Sequence, residues 1–225
     1  MRNSGALCLL WRDNDKGIAP EGETDMRRSK RIDTAKLTLG ALLTALVVVL
    51  QLVGSFIHFG VFSVSLVLLP IVIGAATCGP FIGAWLGLVF GVVVLLSGDA
   101  TLFLEINAPG TILVVLVKGV LSGLAAGLVY RLLEKFHSYV AVVTAAAVCP
   151  LVNTGIFLIG CFTFFRDAVA QWAVGAGFGE NVTAYIFVGL AGGNFLFEFI
   201  LNLVLCPVIV RLLTIRSVQG RAQGL

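Results

Sequence analysis

Long apolar runs follow one another from residue 35 to residue 210, and few charged residues interrupt them. A helix in the core of a water-soluble protein carries a polar face, whereas these runs are apolar all round, as a membrane span must be. Six runs come near the ~20 residues that cross ~30 Å of hydrocarbon: 37–56, 62–78, 79–96, 110–133, 139–164 and 185–213. The pattern predicts an all-α integral membrane protein, a bundle of six transmembrane helices.

The two ends of the chain differ in composition from its middle. Residues 1–35 are rich in charge and poor in apolar residues, so we expect a disordered cytoplasmic tail. Residues 36–213 then form the membrane domain, and 214–225 form a short cytoplasmic C-terminal tail. Pro70 and Pro150 fall inside spans, where neighbouring helices can satisfy the carbonyl groups that a proline frees. Both prolines therefore predict kinks.

The distribution of lysine and arginine orients the chain. One set of span ends carries nearly all of them: Arg27, Arg28, Lys30, Arg31, Lys36, Arg131, Lys135, Arg211, Arg216 and Arg221. The opposite set carries only Arg166. Since cytoplasmic loops are enriched in these residues, both termini are predicted to be cytoplasmic. The formal net charge of +3 reflects this bias and is no argument for nucleic-acid binding.

Sequence signatures of catalysis and of metal binding are absent. The chain has no GxxxxGK[ST] or HExxH motif, and its five cysteines lack ligand-like spacing. Its two histidines, His58 and His137, fall at opposite ends of the membrane in the predicted topology. We therefore expect no enzyme, no metal site and no cofactor.

Glycines recur at four-residue spacing in two spans. The third span has Gly79, Gly83, Gly87 and Gly91, and the fourth has Gly119, Gly123 and Gly127. Such ladders place small residues on one helix face and let two backbones approach closely. They predict packing within the chain. The first span carries a shorter version of the pattern, Ala41 and Ala45.

Polar residues at membrane depth are the best pointers to function. Lys118 lies eight residues into the fourth span, ~12 Å deep. Asn153 follows Pro150 in the fifth span. The sixth span carries three polar residues on one face, at i, i+4 and i+8: Asn194, Glu198 and Asn202. Together they predict a polar pocket that is reached from outside, in which Lys118 and Glu198 either form an ion pair or contact a charged ligand.

The loops predicted on the outer side are at 54–64, 97–111 and 164–183. They combine aromatic, polar and glycine residues. This composition favours either a lid over a small polar ligand or an ordinary interfacial belt of aromatic side chains.

Several segments resemble the substrate-binding S components of energy-coupling factor (ECF) vitamin transporters. They are KLTLGALLTA (36–45), LPIVIGA (69–75), CGPFIG (78–83), VKGVLSG (117–123) and NFLFEFILN (194–202). The resemblance extends over residues 36–213. It implies that Ala41 and Ala45 dock on a transmembrane coupling subunit, which works with two cytoplasmic ATPases in a bacterial plasma membrane. The site region that the resemblance implies contains Asn107, Lys118, Asn153, Asn194, Glu198 and Asn202.

The resemblance also implies the cargo and the mode of transport. The S component binds a water-soluble vitamin from outside and topples in the membrane to carry it inward. The segments around Lys118 and 194–202 are most similar to the pantothenate branch, followed by the riboflavin and folate branches. Two other hypotheses remain open: a stand-alone proton-coupled carrier that uses Glu198, and a membrane scaffold without transport activity.

Overall fold

The computed structural model describes residues 34–56, 58–59, 62–63 and 66–222, with the backbone alone for 34–35, 58–59, 62–63, 194 and 209–222. Nearly all of the expected N-terminal tail lies outside the described residues. The elements are α1 (Thr34–Gly54), β1 (His58–Phe59), β2 (Phe62–Ser63), α2 (Leu68–Thr77), α3 (Pro80–Ser97), α4 (Thr101–Glu134), α5 (Ser138–Thr163), α6 (Arg166–Gly175), α7 (Val182–Ala184), a π-helical segment (Tyr185–Gly192) and α8 (Gly193–Ala222).

Five helical stretches are long and apolar enough to cross a membrane: Lys36–Gly54, Pro80–Ser97, Thr101–Glu134, Ser138–Thr163 and Val182–Val208. They match five of the six predicted spans, so the prediction of a helical membrane protein is confirmed. The last stretch changes from π-helical to α-helical geometry at Gly193. Its helix continues past residue 213, the expected end of the sixth span, to Ala222.

The second predicted span differs from the expectation. Residues 62–63 form a strand that pairs antiparallel with 58–59, in line with the preference of aromatic residues for extended structure. The helix that follows, α2, has only ten residues, which is ~15 Å. A helical start at residue 62 was therefore wrong, and six crossings stay a prediction. α2 is apolar all round because it packs against α3, α4, α5 and α8 inside the bundle.

Two of the three predicted loops are largely helical. α3 ends at Ser97 and is followed by Gly98, whose φ of 90° is left-handed, and α4 begins at Thr101. α4 consists of a short first segment and a long second one, and the two meet at Asn107, whose φ and ψ lie outside the helical region. The side-chain oxygen of Asn107 accepts a hydrogen bond from the Gly110 amide at 3.0 Å, as an N-cap does. The polar segment 97–111 therefore contains the end of α3, but most of its residues belong to the helix that follows.

The glycine ladders bring α3 and α4 into backbone contact. A Cβ atom built on Gly87 would collide with the carbonyl oxygen of Gly119, and one built on Gly123 would collide with that of Gly83. Gly127 lies in the same way against Pro80. The prediction that these ladders pack within the chain is confirmed.

Two apolar clusters lie on either side of the polar residues. The larger cluster contains residues of the first five helices, α1 through α5, and of α8. Leu43, Val47, Ile71 and Phe90 are among them. The smaller combines the start of α4, the end of α5, α6 and the π-helical segment, around Phe103. The Phe103 ring makes edge-to-face contacts with Phe157, Phe165 and Trp172 at 5.0–5.6 Å between centroids. The half-buried indole of Trp172 thus belongs to a packed cluster beside the candidate site.

Substitution of Gly87 tests the helix contact. Gly87→Ala forces α3 away from α4, and we expect it to lower the free energy of unfolding in detergent by ~1–3 kcal/mol. Gly155→Ala in α5 is the matched control, because no atom lies within 4 Å of a Cβ there. It should leave stability unchanged or raise it slightly. Equal stability of the two variants would contradict the contact.

Candidate functional site

A cavity of about 90 Å³ opens between α1, α3, α4, α5 and α8, near the connections that follow α1, α3 and α5. Its polar lining residues are Gln51, Asp99, Thr111, Lys118, Asn153 and Glu198, and its aromatic ones are Phe90, Phe103, Phe157 and Phe165. A second cavity of about 50 Å³ lies against α8 and the π-helical segment. The two share part of their walls: Lys118, Asn153, Phe157 and Glu198.

Three of the six predicted site residues therefore come together. Lys118 of α4, Asn153 of α5 and Glu198 of α8 line both cavities. Each is on a different helix, so the site depends on the packing of the bundle. Their separation in sequence is bridged by the contacts of α5 with α4 and with α8.

The other three predicted residues have different positions. Asn107 caps the long segment of α4 and is absent from the linings of both cavities. Asn202 is buried one turn beyond Glu198, and its amide donates to the Glu198 carbonyl oxygen at 2.8 Å. The side chain of Asn194 lies outside the described residues. The four-residue spacing of 194, 198 and 202 predicted that all three side chains share one helix face and one pocket. The amide of Asn202 instead donates a hydrogen bond to the backbone of its own helix.

Lys118 lies between aromatic rings and carboxylates. Its ammonium is 5.8 Å from the centroid of Phe90 and 5.4 Å from that of Phe157, within the range of cation–π attraction. The carboxylates of Asp99 and of Glu198, which is only 3% exposed, line the same cavity as this ammonium. A charge at this depth is thus compensated by both kinds of neighbour.

Asn153 has an unsatisfied acceptor. Its side chain is 8% exposed, and its buried Oδ1 accepts no hydrogen bond from the described part of the chain. Leaving a buried acceptor unpaired costs ~1–3 kcal/mol. A donor supplied by a molecule in the cavity would remove this cost.

Asp99 joins the cavity to α1, a connection that the sequence did not indicate. Its Oδ2 accepts hydrogen bonds from Gln51 Nε2 at 2.5 Å, Ser55 Oγ at 2.8 Å and Ser97 Oγ at 3.3 Å. Gln51 is 2% exposed. The one available signal was the amide side chain of Gln51 within the first span. The partner was hidden because it lies 48 residues away.

The opposite face of α1 carries Ala41 and Ala45. Both are exposed, beside the exposed Leu42, whereas Leu43 and Val47 point into the bundle. The small pair is therefore open to lipid or to another protein.

The comparisons with known proteins agree with this architecture. A family model described as "ECF transporter, substrate-specific component" matches residues 35–210. The chain belongs to this family. It is thus a substrate-specific subunit of an ECF transporter, a membrane protein whose family binds a transported substrate. Neither the curated proteins nor the solved structures give a match.

The Asp99 hydrogen bonds give a prediction on stability. Asp99→Ala leaves the buried amide of Gln51 without this acceptor, and we expect a loss of ~1–3 kcal/mol in unfolding free energy. Combining it with Gln51→Leu should cost less than the sum of the single changes. The exposed Glu105→Ala is the control and should stay within ~0.5 kcal/mol. Additive effects of the two changes would contradict the contact.

Proposed function

We propose that this protein is the vitamin-binding subunit of an ECF importer in a bacterial plasma membrane. It spans the membrane six times with both termini in the cytoplasm and takes its ligand from outside. It passes the ligand inward by toppling on a transmembrane coupling subunit that works with two cytoplasmic ATPases. Membership of the family supports the subunit role.

The observation that carries the ligand-binding role is the cavity. Lys118, Asn153 and Glu198 converge from three helices at a depth where polar side chains are costly and usually functional. Apolar and aromatic walls with a few convergent polar groups are typical of small-molecule sites.

The position of the cavity supports access from outside. Asp99, Ala100 and Phe103 line it at the beginning of α4. Arg131 and Lys135, which predict the cytoplasmic side, are at the other end of that helix. From the kink at Asn107 to Arg131 the helix extends ~36 Å at 1.5 Å per residue, which supports a position of the cavity in the outer half.

The similarity of individual segments favours pantothenate as the vitamin, with riboflavin and folate next. Of the described residues, those up to Leu37 and those from Thr38 onward form two separate units, and the residues that line the cavity all belong to the second. Ligand binding is thus expected to be a property of the helical domain alone.

Substitution of Asn153 separates binding from folding. Asn153→Leu removes the unpaired buried acceptor, so the ligand-free protein should be as stable as wild type or more stable. A vitamin that stabilises the wild type by ~2.7 kcal/mol at 100 times its Kd should no longer do so. Thermal unfolding of detergent-purified protein with each vitamin measures both effects.

Thr163→Val is the control for this experiment, because Thr163 is an exposed residue of the same helix outside both cavities. Its response to the vitamin should match that of wild type. Full ligand stabilisation of Asn153→Leu would remove this cavity from the binding site.

The Ala41–Ala45 face gives a prediction on assembly. Ala41→Leu together with Ala45→Leu adds bulk to an exposed small-residue surface, which should block close helix approach by the coupling subunit. Co-purification with the coupling subunit and the ATPases should fall at least tenfold, while vitamin binding is retained. Val49→Leu, exposed on the same helix, should assemble normally. Normal assembly of the double variant would contradict docking on this face.

A further inference from the structure

The buried side chains of the last span recur at two different intervals. In the π-helical segment, Tyr185 and Ile186 are buried, the next three residues are exposed, and residues 190–191 are buried again. This interval of five residues fits π geometry, in which hydrogen bonds join residues five apart. In α8, buried residues recur every four positions, as on an α-helix: Glu198, Asn202 and Cys206. The burial pattern therefore supports a change of helical geometry within one span.

An α-helical arrangement of the π-helical segment would bury different side chains. Glu198 and Asn202 hold their face of α8 inside the bundle, so the outer flank is the part that can turn. Continued outward from Glu198 at about 3.6 residues per turn, α geometry places Phe187 about three turns away on the same face. Tyr185 and Ile186 then lie on the opposite face. Conversion thus exchanges two buried side chains for one that is 53% exposed in this structure.

The composition of the segment lowers the cost of this exchange. Residues 185–190 read YIFVGL, and lipid tails are as apolar as leucine, so either set of side chains can face the bilayer. Three glycines weaken the preference for one geometry: Gly189, Gly192 and Gly193. Because α-helical hydrogen bonds close over four residues and not five, conversion releases a residue from the helix. The connection 176–181 can take it up, since Gly177 and Gly179 there already have left-handed φ values of 85° and 59°.

The side chains that would be exchanged belong to the smaller apolar cluster. Tyr185 and Ile186 are members of this cluster together with Phe103 and Phe165, which both line the larger cavity. Tyr185 also packs edge to face with Phe178, in the connection before α7, at 5.5 Å between ring centroids. Withdrawal of Tyr185 and Ile186 would loosen the packing around the two phenylalanines and end the contact with Phe178.

We infer that the π-helical segment controls access to the larger cavity by changing its register. In π geometry the smaller cluster closes the outer end of the cavity. Conversion to α geometry shifts the outer flank by about one residue, or about 100° of rotation, and opens the cluster. π-helical turns are rare and occur mostly at functional sites, in line with this role. The inference rests on the proposed function, because the opening admits the transported ligand.

Deletion of Val188 tests whether the segment contains one residue more than an α-helix needs. Without Val188, the buried pairs 185–186 and 190–191 are four positions apart, so both stay buried in α geometry and no second register remains. The variant should fold and unfold in detergent at the wild-type temperature or above.

Deletion of Ile200 is the matched control, because Ile200 is exposed in α8 between the buried Glu198 and Asn202. That deletion moves the two buried residues off their common face, and it should lower Tm by at least about 5 °C. Equal destabilisation by the two deletions would overturn the inference.

The thiol of Cys161 measures opening without any ligand. Cys161 is buried in the smaller cluster, and Cys149 of the same helix is buried in the larger one. Labelling of the folded, ligand-free full chain with N-ethylmaleimide, followed by mass spectrometry, gives a rate for each thiol. Opening of the smaller cluster exposes only Cys161, whereas global unfolding exposes both thiols. In the wild type, Cys161 should therefore react at least about tenfold faster than Cys149.

Two variants should change this rate in opposite directions. Deletion of Val188 should slow the labelling of Cys161 about tenfold, because it removes the second register. Gly189→Ala should speed it, because a Cβ there would lie 2.7 Å from the Tyr185 ring and oppose the π register. Gly155→Ala is the control and should be labelled as the wild type is, since no described atom lies within 4 Å of a Cβ there.

The labelling rates separate this inference from the proposed function. Unchanged labelling of Cys161 after deletion of Val188, or equal rates for Cys161 and Cys149 in the wild type, would overturn the inference and leave the proposed function standing. A vitamin that stabilises the wild type should dissociate about tenfold more slowly from the deletion variant. Failure of every vitamin to bind would contradict the proposed function, and the labelling rates would still decide the change of register.

Discussion

The backbone contact between α3 and α4 determines the geometry of the cavity. Where Gly87 meets Gly119, no side chain separates the two helices, and the residues beside the contact are held at short range. Lys118 precedes Gly119, and Phe90 follows Gly87 by less than one turn, so the ammonium comes within 5.8 Å of the ring. Larger residues at these glycines would move the lysine away from the cavity wall. The packing of two apolar helices thus positions a charge.

A charge at this depth requires compensation, and the arrangement around Lys118 shows how two further helices and one connection provide it. Glu198 comes from α8, Phe157 from α5 and Asp99 from the connection before α4. Asp99 also accepts hydrogen bonds from Gln51 and Ser55 of α1, the helix whose other face presents Ala41 and Ala45. The cavity and the exposed face of α1 therefore share one helix. A change at Asp99 on ligand binding would act directly on that helix.

Much of the fold could be predicted from the sequence because lipid imposes simple rules on helices. Length and apolarity identified five spans, and glycine spacing identified faces of α3 and α4 that pack within the chain. The same rules misplaced the start of α2 and do not decide whether it crosses the membrane, since a helix buried in protein is as apolar as one that faces lipid. Lys118, Asn153 and Glu198 stood out as polar residues in apolar runs. The roles of Gln51 and Asn107 did not, because one depends on a partner 48 residues away and the other on a local kink.

The most direct test of a ligand site in this cavity is an experimental density map of the protein bound to a vitamin that stabilises it. We expect density for the ligand in this cavity, within contact distance of Lys118, Asn153 and Glu198. Ligand density elsewhere on the protein, with this cavity empty under saturating conditions, would contradict that assignment.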